Sequence, residues 1–363
     1  MTAVNTRPSR ARHADPGTLR LAGVHLPRWA AAFCAASGAG LALAARAAFG
    51  WSGWTTTTVA AVVLFITLLT AWSFRVEGRR RAKDRLASTV IYACMLAAVT
   101  PLLLILGYIA AKGAPALSWT LLTHSMNGVT ASMPGGGVYA AIVGTLQQVG
   151  VASLIALPLG VLTAVYLVEY ARGGPFARAV TFFVDVMTGV PSIVAGLFVY
   201  SFLLLGTGLR PFGAAGSLAL ALLMLPVVIR AGEEMLRLVP DQLREASYAL
   251  GVPKWRTVLK VVLPTALSGL ITSCLLAIAR VTGETAPLIL LVGYSSRINN
   301  DPFSGDQASL PMFIWDQLGK RTGNSGTFSE PRAWAAALVL VLLVLVINVV
   351  AHVLAALAKP KST

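Results

Sequence analysis

The sequence predicts an all-α protein that crosses a membrane about eight times. Three observations carry this reading. Of the 363 residues, 56% are hydrophobic and only 12% are charged, about half the charge of a soluble domain. Several windows of about 20 residues are almost free of charge, the length that spans a bilayer as a helix. No stretch shows the alternating pattern of roughly ten-residue barrel strands.

In chain order, the spans fall at 29–49, 55–74, 88–111, 138–168, 178–206, 213–236, 262–292 and 333–357. The first two make a hairpin across the short turn 50–54, and the other six make a core. The fourth, fifth and seventh are long and contain Gly or Pro, so they are expected to tilt, kink or break. Four segments follow: a polar basic tail at 1–28, expected to be disordered; the extra hairpin with a basic linker at 29–86; the core at 87–358, with a loop at 240–264; and a tail at 359–363. The first span follows a long basic leader and is closely followed by the second. It therefore reads as an uncleaved anchor rather than a signal peptide. The hairpin is either a peripheral anchor or a regulatory element.

A net charge of +15 invites a nucleic-acid partner, but its placement argues otherwise. Twenty-one of the 29 lysines and arginines lie in 1–28, 75–86, 169–178, 230–260 or after 358. All of these fall on one side of an eight-span arrangement. The opposite loops hold only Lys112, Arg210, Arg297, Lys320, Arg321 and Arg332. This positive-inside bias puts both termini in the cytoplasm. The linker 75–85, with Arg79, Arg80 and Arg81, is expected to set topology and to touch anionic lipid.

Chemistry of the catalytic kind is not expected. Cys34, Cys94 and Cys274 lie in apolar spans and suggest no disulfide framework. His13, His25, His124 and His352 lack ligand spacing, so no metal site is expected. No serine or threonine sits in a nucleophile setting with a matched base. There is no Gly-x-x-x-x-Gly-Lys-Ser/Thr phosphate loop. No cofactor is expected on this chain, and any ATP that drives it is held by another.

The loop 240–264 reads as a helical elbow. Asp241 is placed to cap a first short helix after Pro240. Leu243, Ala246 and Leu250 fall at i, i+3 and i+7, an apolar stripe. Gly251 suits the left-handed turn that ends such a helix. Pro253 suits the first turn of the next helix, and Pro264 the opening of the following span. A stiff elbow on the cytoplasmic side is a natural docking surface for a soluble partner.

This spacing resembles the coupling loop of the binding-protein-dependent ABC-importer permeases. Their pattern is Glu-Ala-Ala, three residues, Gly, nine residues, Ile-x-Leu-Pro. Here it stands as Glu245, Ala246, Ser247, Gly251, Val261, Leu263 and Pro264, with Ser for the second Ala and Val for Ile. Five stretches are similar to the phosphate branch of that family: Gly-Thr-Leu at 144–146, Pro-Leu-Gly…Tyr-Leu-Val-Glu-Tyr at 158–170, Gly-Val-Pro-Ser-Ile-Val at 189–194, the segment 225–240, and Gly-Glu-Thr-Ala-Pro-Leu at 283–288. The resemblance spans roughly 87–358. It implies a type I ABC-importer permease bundle in a bacterial inner membrane. It also implies a second permease subunit, two ATPase subunits that hold ATP and Mg2+, and an external phosphate-binding protein. Glu245, Ala246, Ser247, Gly251, Leu263 and Pro264 would then receive the motion of the ATPases. The rivals are sulfate or molybdate as cargo, a secondary transporter without an ATPase, or a structural or sensory membrane protein.

Several residues are candidates for the substrate path. Arg280 and Glu284 stand four apart in the seventh span, on one predicted helical face. Intramembrane charge usually faces a protein interior or a water-filled route. The Arg280 fork suits phosphate oxygens, with Glu284 restraining its charge; alternatively the pair simply joins helices. Gly283 and Pro287 loosen the helix around Glu284 and Thr285. Thr188, Pro191 and Ser192 form a polar, proline-interrupted stretch of the fifth span, either path or ordinary kink. Asp185 needs a partner that the sequence does not name. Glu233, Glu234 and Arg237 read as a solvated helix end. Gln147 and Gln148 read as interhelical hydrogen-bonding groups, or alternatively as lining of the path. The external segments 112–137 and 293–331 are plain loops or surfaces for a binding protein.

Overall fold

The computed structural model describes residues 25–171, 173–320 and 326–357. The tail 359–363 and most of the basic leader lie outside the described residues. Every regular element among the described residues is helical. The chain divides inside one helix into two compact units, Met1–Ile105 and Leu106–Thr363.

In the first unit, α1 (Ala30–Phe49) and α2 (Trp54–Val76) pack as a hairpin. Leu26, Ala30, Cys34 and Leu69 form its small core, beside edge-to-face contacts among Trp29, Phe33 and Trp72. Arg46 sits in the last turn of α1, where the negative helix end favours a cation, and its guanidinium lies 4.0 Å over the Trp54 ring. The third helix, α3 (Arg79–Gly113), follows Gly78. Glu77 closes the turn between α2 and α3. It accepts from Arg85 Nε at 2.5 Å and Nη2 at 2.7 Å, from Ser73 Oγ at 2.7 Å and from the Leu26 N–H at 2.8 Å. The Arg85 bond is the main reason the Glu77 carboxyl is held down to about 2, against the opposing effect of burial.

The second unit continues with α4 (Trp119–Thr123), α5 (Tyr139–Val165), α6 (Pro175–Gly189), α7 (Ser192–Val199) and α8 (Gly213–Arg237). Next come α9 (Asp241–Ala249), α10 (Lys254–Thr257), α11 (Leu263–Thr282), α12 (Ala286–Leu291), α13 (Leu310–Gly319) and α14 (Gly326–Leu357). Single π-helical stretches extend α5 (Tyr166–Tyr170) and α7 (Tyr200–Leu205) and join α10 to α11 (Val258–Val262).

The α5–α8 pair is the centre of this unit. Ala152, Ala156, Gly160 and Ala164 run down one buried stripe of α5. A side-chain carbon at Gly160 would meet Val228, and one at Gly232 would meet Ala164. Small residues therefore let the two backbones approach. In lipid, where hydrophobic force between helices is absent, that packing holds the pair together. Around it, α11 packs on α8, α5 and α14, and α13 packs on α14.

Seven helices are long and apolar enough to cross a membrane, or eight if one bent pair is a single span. This matches the eight expected spans, and two of those expected to tilt, kink or break do break. The fifth span breaks, one of the outcomes expected of it: α6 and α7 meet at 110°. Pro191 lacks an N–H and its ring crowds the carbonyl four residues back. It also pushes Val190 into extended backbone, φ −72° and ψ 126°.

The expected seventh span is displaced. The helical run begins at Lys254 and ends at Thr282, with Pro264 in the first turn of α11, where it was expected. The π-helical stretch just before Pro264 loosens the ladder where the proline ring needs room. The helix ends at Thr282 because Pro287 would crowd the Gly283 carbonyl if it continued. The chain restarts as α12 with Pro287 in its first turn.

Candidate functional site

The elbow is present as α9, a turn and α10. Gly251 takes the left-handed conformation with φ 74°, as its position predicts. Asp241 is the first residue of α9 rather than its cap. Its carboxylate accepts from Arg244 Nη1 at 3.0 Å, and it still complements the positive helix end. Pro253 caps α10 instead of lying inside it.

The stripe of α9 faces away from the chain's own core: Leu243 is 41% and Leu250 83% exposed. Leu238, Tyr248, Trp255 and Leu259 are exposed beside it, as are Glu245 and Ala246. Exposed apolar side chains gathered on one short segment are a common feature of protein-binding surfaces.

What fastens the elbow is Arg244, which the sequence reading passed over. Its Nη2 and Nε donate to Glu169 Oε1 at 2.9 and 3.1 Å. Nη2 also donates to the Leu236 carbonyl at 3.0 Å, and Nη1 to the Val239 carbonyl at 2.6 Å. Those carbonyls are at the C-terminal end of α8 and just beyond it, where helical acceptors lack partners. Glu169 belongs to the π-helical end of α5. One guanidinium thus ties α9 to the ends of both central helices. Ser247 and Thr257 share a buried hydroxyl hydrogen bond of 2.8 Å, which locks α9 to α10. The family pattern has Ala where Ser247 stands, so this departure adds a bond.

The expected Arg280–Glu284 face does not form. Arg280 is exposed near the end of α11, Glu284 lies past the helix end and is half-buried, and no ion pair joins them among the described residues. Their height follows from packing. Gly232 faces Leu270 and Gly269 faces Met235, so α8 and α11 run antiparallel from a common level. Ten residues further, about 15 Å at 1.5 Å per residue, Arg280 is level with Leu222. Leu222 and Leu223 line a cavity of about 300 Å³ with Met187, Val190, Val194 and Ala195, at the α6–α7 corner.

The corner thus lies in the same membrane layer as Arg280. Pro287 of α12 backs onto Gly196 of α7, so both helix breaks lie about one turn from a shared contact. Thr188 is exposed and donates to the Val184 carbonyl at 2.9 Å. Pro191 is exposed, and Ser192 and Thr285 are half-buried.

Asp185 finds its partner in Arg230, by an ion pair between α6 and α8. Arg230 also meets Glu233 at 3.3 Å, and Glu233 meets Arg237 at 3.5 Å. Glu234 and Arg237 are exposed, as a solvated helix end requires, but Glu233 is buried. Its burial is tolerable because two arginines flank it.

At the end of the bundle opposite α9, Gln148 Nε2 donates to Gln307 Oε1 at 3.0 Å and to the Ala308 carbonyl at 3.3 Å. Gln147 Nε2 donates to the Asn300 carbonyl at 3.1 Å. These glutamines pin the segment 293–309 to α5. That segment leads into α13, whose Leu310, Met312 and Phe313 are buried, so the region 293–331 is more than a plain loop. Phe303, Trp315 and Trp119 stay exposed there.

The chain is thus a bundle of membrane-crossing helices with an exposed apolar elbow at one end and an exposed arginine, Arg280, near the end of α11. A family model described as binding-protein-dependent transport system inner membrane component matches residues 156–363. The chain is 51% identical over 277 residues to phosphate transport system permease protein PstA 1 of Mycobacterium tuberculosis (strain CDC 1551 / Oshkosh), covering 75% of this chain and 88% of that one. It is 49% identical over 274 residues to PstA of Mycobacterium leprae, with the same coverage of 75% and 88%. It is 40% identical over 286 residues to PstA of Yersinia pestis, covering 78% and 93%. An inward-facing MetNI methionine ABC transporter chain is similar at 23% identity and a TM-score of 0.48, covering 62% of this chain and 95% of that one. The chain belongs to the inner membrane components of binding-protein-dependent transport systems, and within them to the PstA permeases. It is a transport subunit, not an enzyme.

Proposed function

We propose that this chain forms one side of the phosphate path in an ATP-driven importer and receives the force that opens it. The observation that carries this reading is the elbow: an apolar face turned outward, on a helix fastened inward by Arg244. The exposed face fits a groove on an ATPase subunit (PstB-like), two of which hold ATP and Mg2+. The basic bias of the loops on that side supports a cytoplasmic elbow and cytoplasmic termini. When the ATPases close, α9 moves, and Arg244 carries the motion to α5 and α8.

The path lies between this chain and a second permease (PstC-like). Arg280 is exposed in this chain alone, and an exposed membrane charge requires a partner surface or water. Its fork pairs with phosphate oxygens delivered by an external binding protein (PstS-like). Thr188, Ser192 and Thr285 offer hydroxyls in the same layer, around Pro191. Glu284 limits the net positive charge, so the anion passes instead of staying bound.

The test is radiolabelled phosphate uptake in cells lacking their own phosphate permease. The chain is expressed with its neighbouring transport subunits, with an ATPase-defective control. ATP-dependent uptake that excess sulfate or molybdate does not reduce is the expected result. Assembly without phosphate uptake transfers the reading to another oxyanion, and uptake in the ATPase-defective control overturns the mechanism.

A further inference from the structure

The glutamines that hold the segment 293–309 form a chain with one polarity. Gln148 Nε2 donates to Gln307 Oε1 at 3.0 Å, and Gln307 Nε2 donates in turn to Gln147 Oε1. Each amide also donates to a backbone carbonyl: Gln148 to Ala308 at 3.3 Å, Gln307 to Asn299 at 3.3 Å and Gln147 to Asn300 at 3.1 Å. A carbonyl only accepts, so these three bonds fix which end of each amide is the NH2 group. Turning the chain round would leave all three carbonyls without these donors.

Gln307 is the centre of that chain and is 1% exposed. Its side chain reaches α5 through Gln147 and Gln148. It also packs on the first residue of α8, where a side-chain carbon at Gly213 would collide with its Oε1. Its own N–H donates to the Val292 carbonyl at 3.3 Å, one residue past α12. Beside it, the Phe212 N–H donates to the Leu291 carbonyl at 3.0 Å, and the Ala214 N–H to the Pro302 carbonyl at 2.6 Å. The end of α12 is thus tied to the start of α8 directly, and to α5 through one glutamine.

The helix held in this way is only six residues long, about 9 Å. Leu288, Leu291 and Val292 are buried in the core that α5 and α8 share. With fewer than two turns, α12 moves as one piece, so what fixes its end also fixes its start. Thr285 stands at that start with Glu284 before it, and Pro287 rests on Gly196 of α7.

We propose that Gln307 is a positioning residue of the transport path: by holding the end of α12 against α5 and α8, it sets where Glu284 and Thr285 stand. The inference rests on the reading of those two residues as part of the path. Gln317 supplies the comparison. It is equally buried, at 1%, and both ends of its amide are bonded, to Asp316 Oδ2 at 3.1 Å and from Arg332 Nη1 at 3.4 Å. Among the described residues it makes no hydrogen bond to α12 or to the segment 293–309.

The test uses the assembled transport complex with Thr285→Cys as this chain's one thiol, Cys34, Cys94 and Cys274 being replaced by alanine. The rate at which a soluble maleimide labels position 285 is measured, and phosphate uptake is measured separately with Thr285 intact. Gln307→Met nearly keeps the side-chain volume and removes the amide. Labelling should quicken several-fold and maximal uptake should fall about tenfold, the worth of one lost hydrogen bond. Gln147→Met, at a half-buried position, removes one partner of Gln307 and should give the same two changes at smaller size, which keeps the test open if Gln307→Met does not assemble. Gln317→Met should lower the melting temperature but leave labelling at its original rate. Unchanged labelling in the Gln307 and Gln147 variants, or equal quickening in Gln317→Met, would overturn the proposal. Quickened labelling with full uptake would keep the hold of Gln307 on α12 and remove Thr285 from the path instead.

Discussion

The elbow and the region around Arg280 are opposites in how they hold their charges. At the elbow, Arg244 spends its donors on Glu169, Asp241 and two carbonyls, all in this chain. In the membrane layer, Arg280 is exposed and Glu284 lies beyond a helix end, with no ion pair between them. A part that transmits force must be rigid before its partner arrives. A part that passes an anion must keep a charge uncommitted. On the proposed function, the first is completed within this chain, and the second would be completed by a second permease and the cargo.

Breaking each side should give different signatures. The largest effect is expected from Gly251→Pro. Proline holds φ near −65°, whereas this turn needs φ 74°. Transport should be lost while membrane insertion persists and ATP hydrolysis runs uncoupled; survival of both transport and ATPase stimulation would remove the coupling assignment.

Arg244→Ala strands Glu169, whose side chain is 4% exposed, at a cost of about 3–5 kcal/mol. Thermal unfolding of the complex should reveal it. Pairing Arg244→Gln with Glu169→Gln should recover much of the stability but not the uptake.

Arg280→Gln should do the reverse. Uptake is expected to fall about ten- to hundredfold, the worth of a charged hydrogen bond, with melting unchanged. A drop in melting equal to that of Arg244→Ala would erase the contrast. Ser247→Ala should cost only about 1 kcal/mol, read as faster amide exchange in α9.

A separate, pH-dependent effect lies at Glu77, whose carboxyl is lowered from 4.5 to about 2. Because the folded value is depressed, its contribution is complete above about pH 4.5 and is lost as pH falls to about 2. Exchange of the Leu26 amide should follow that window, and Glu77→Gln should flatten it.

The elbow was legible because its signals are local: an apolar stripe, a glycine and two prolines within a single loop. Its fastening was not, since Glu169 and Arg244 are 75 residues apart and neither carries a spacing pattern. The partner of Asp185 was hidden in the same way, 45 residues on at Arg230. The helix breaks were written in the prolines. Pro191 was read as interrupting the fifth span by a kink or break, and it makes a 110° corner. Pro287 was read as loosening a helix that in fact ends at Thr282, and that is why the Arg280–Glu284 face failed. Glu233 was misjudged because helix-end position suggests solvent, whereas its burial depends on α8's own arginines.

The division of the chain inside α3 also has a consequence for the order of synthesis. Among the described residues, the bonds from Leu26 to Glu77 and from Glu77 to Arg85 are made by residues translated before the second unit begins. At about 5–20 residues per second, the residues after 105 follow over the next 10–50 s or so. The hairpin can therefore be seated in the bilayer, holding the ribosome there, well before the elbow leaves the exit tunnel.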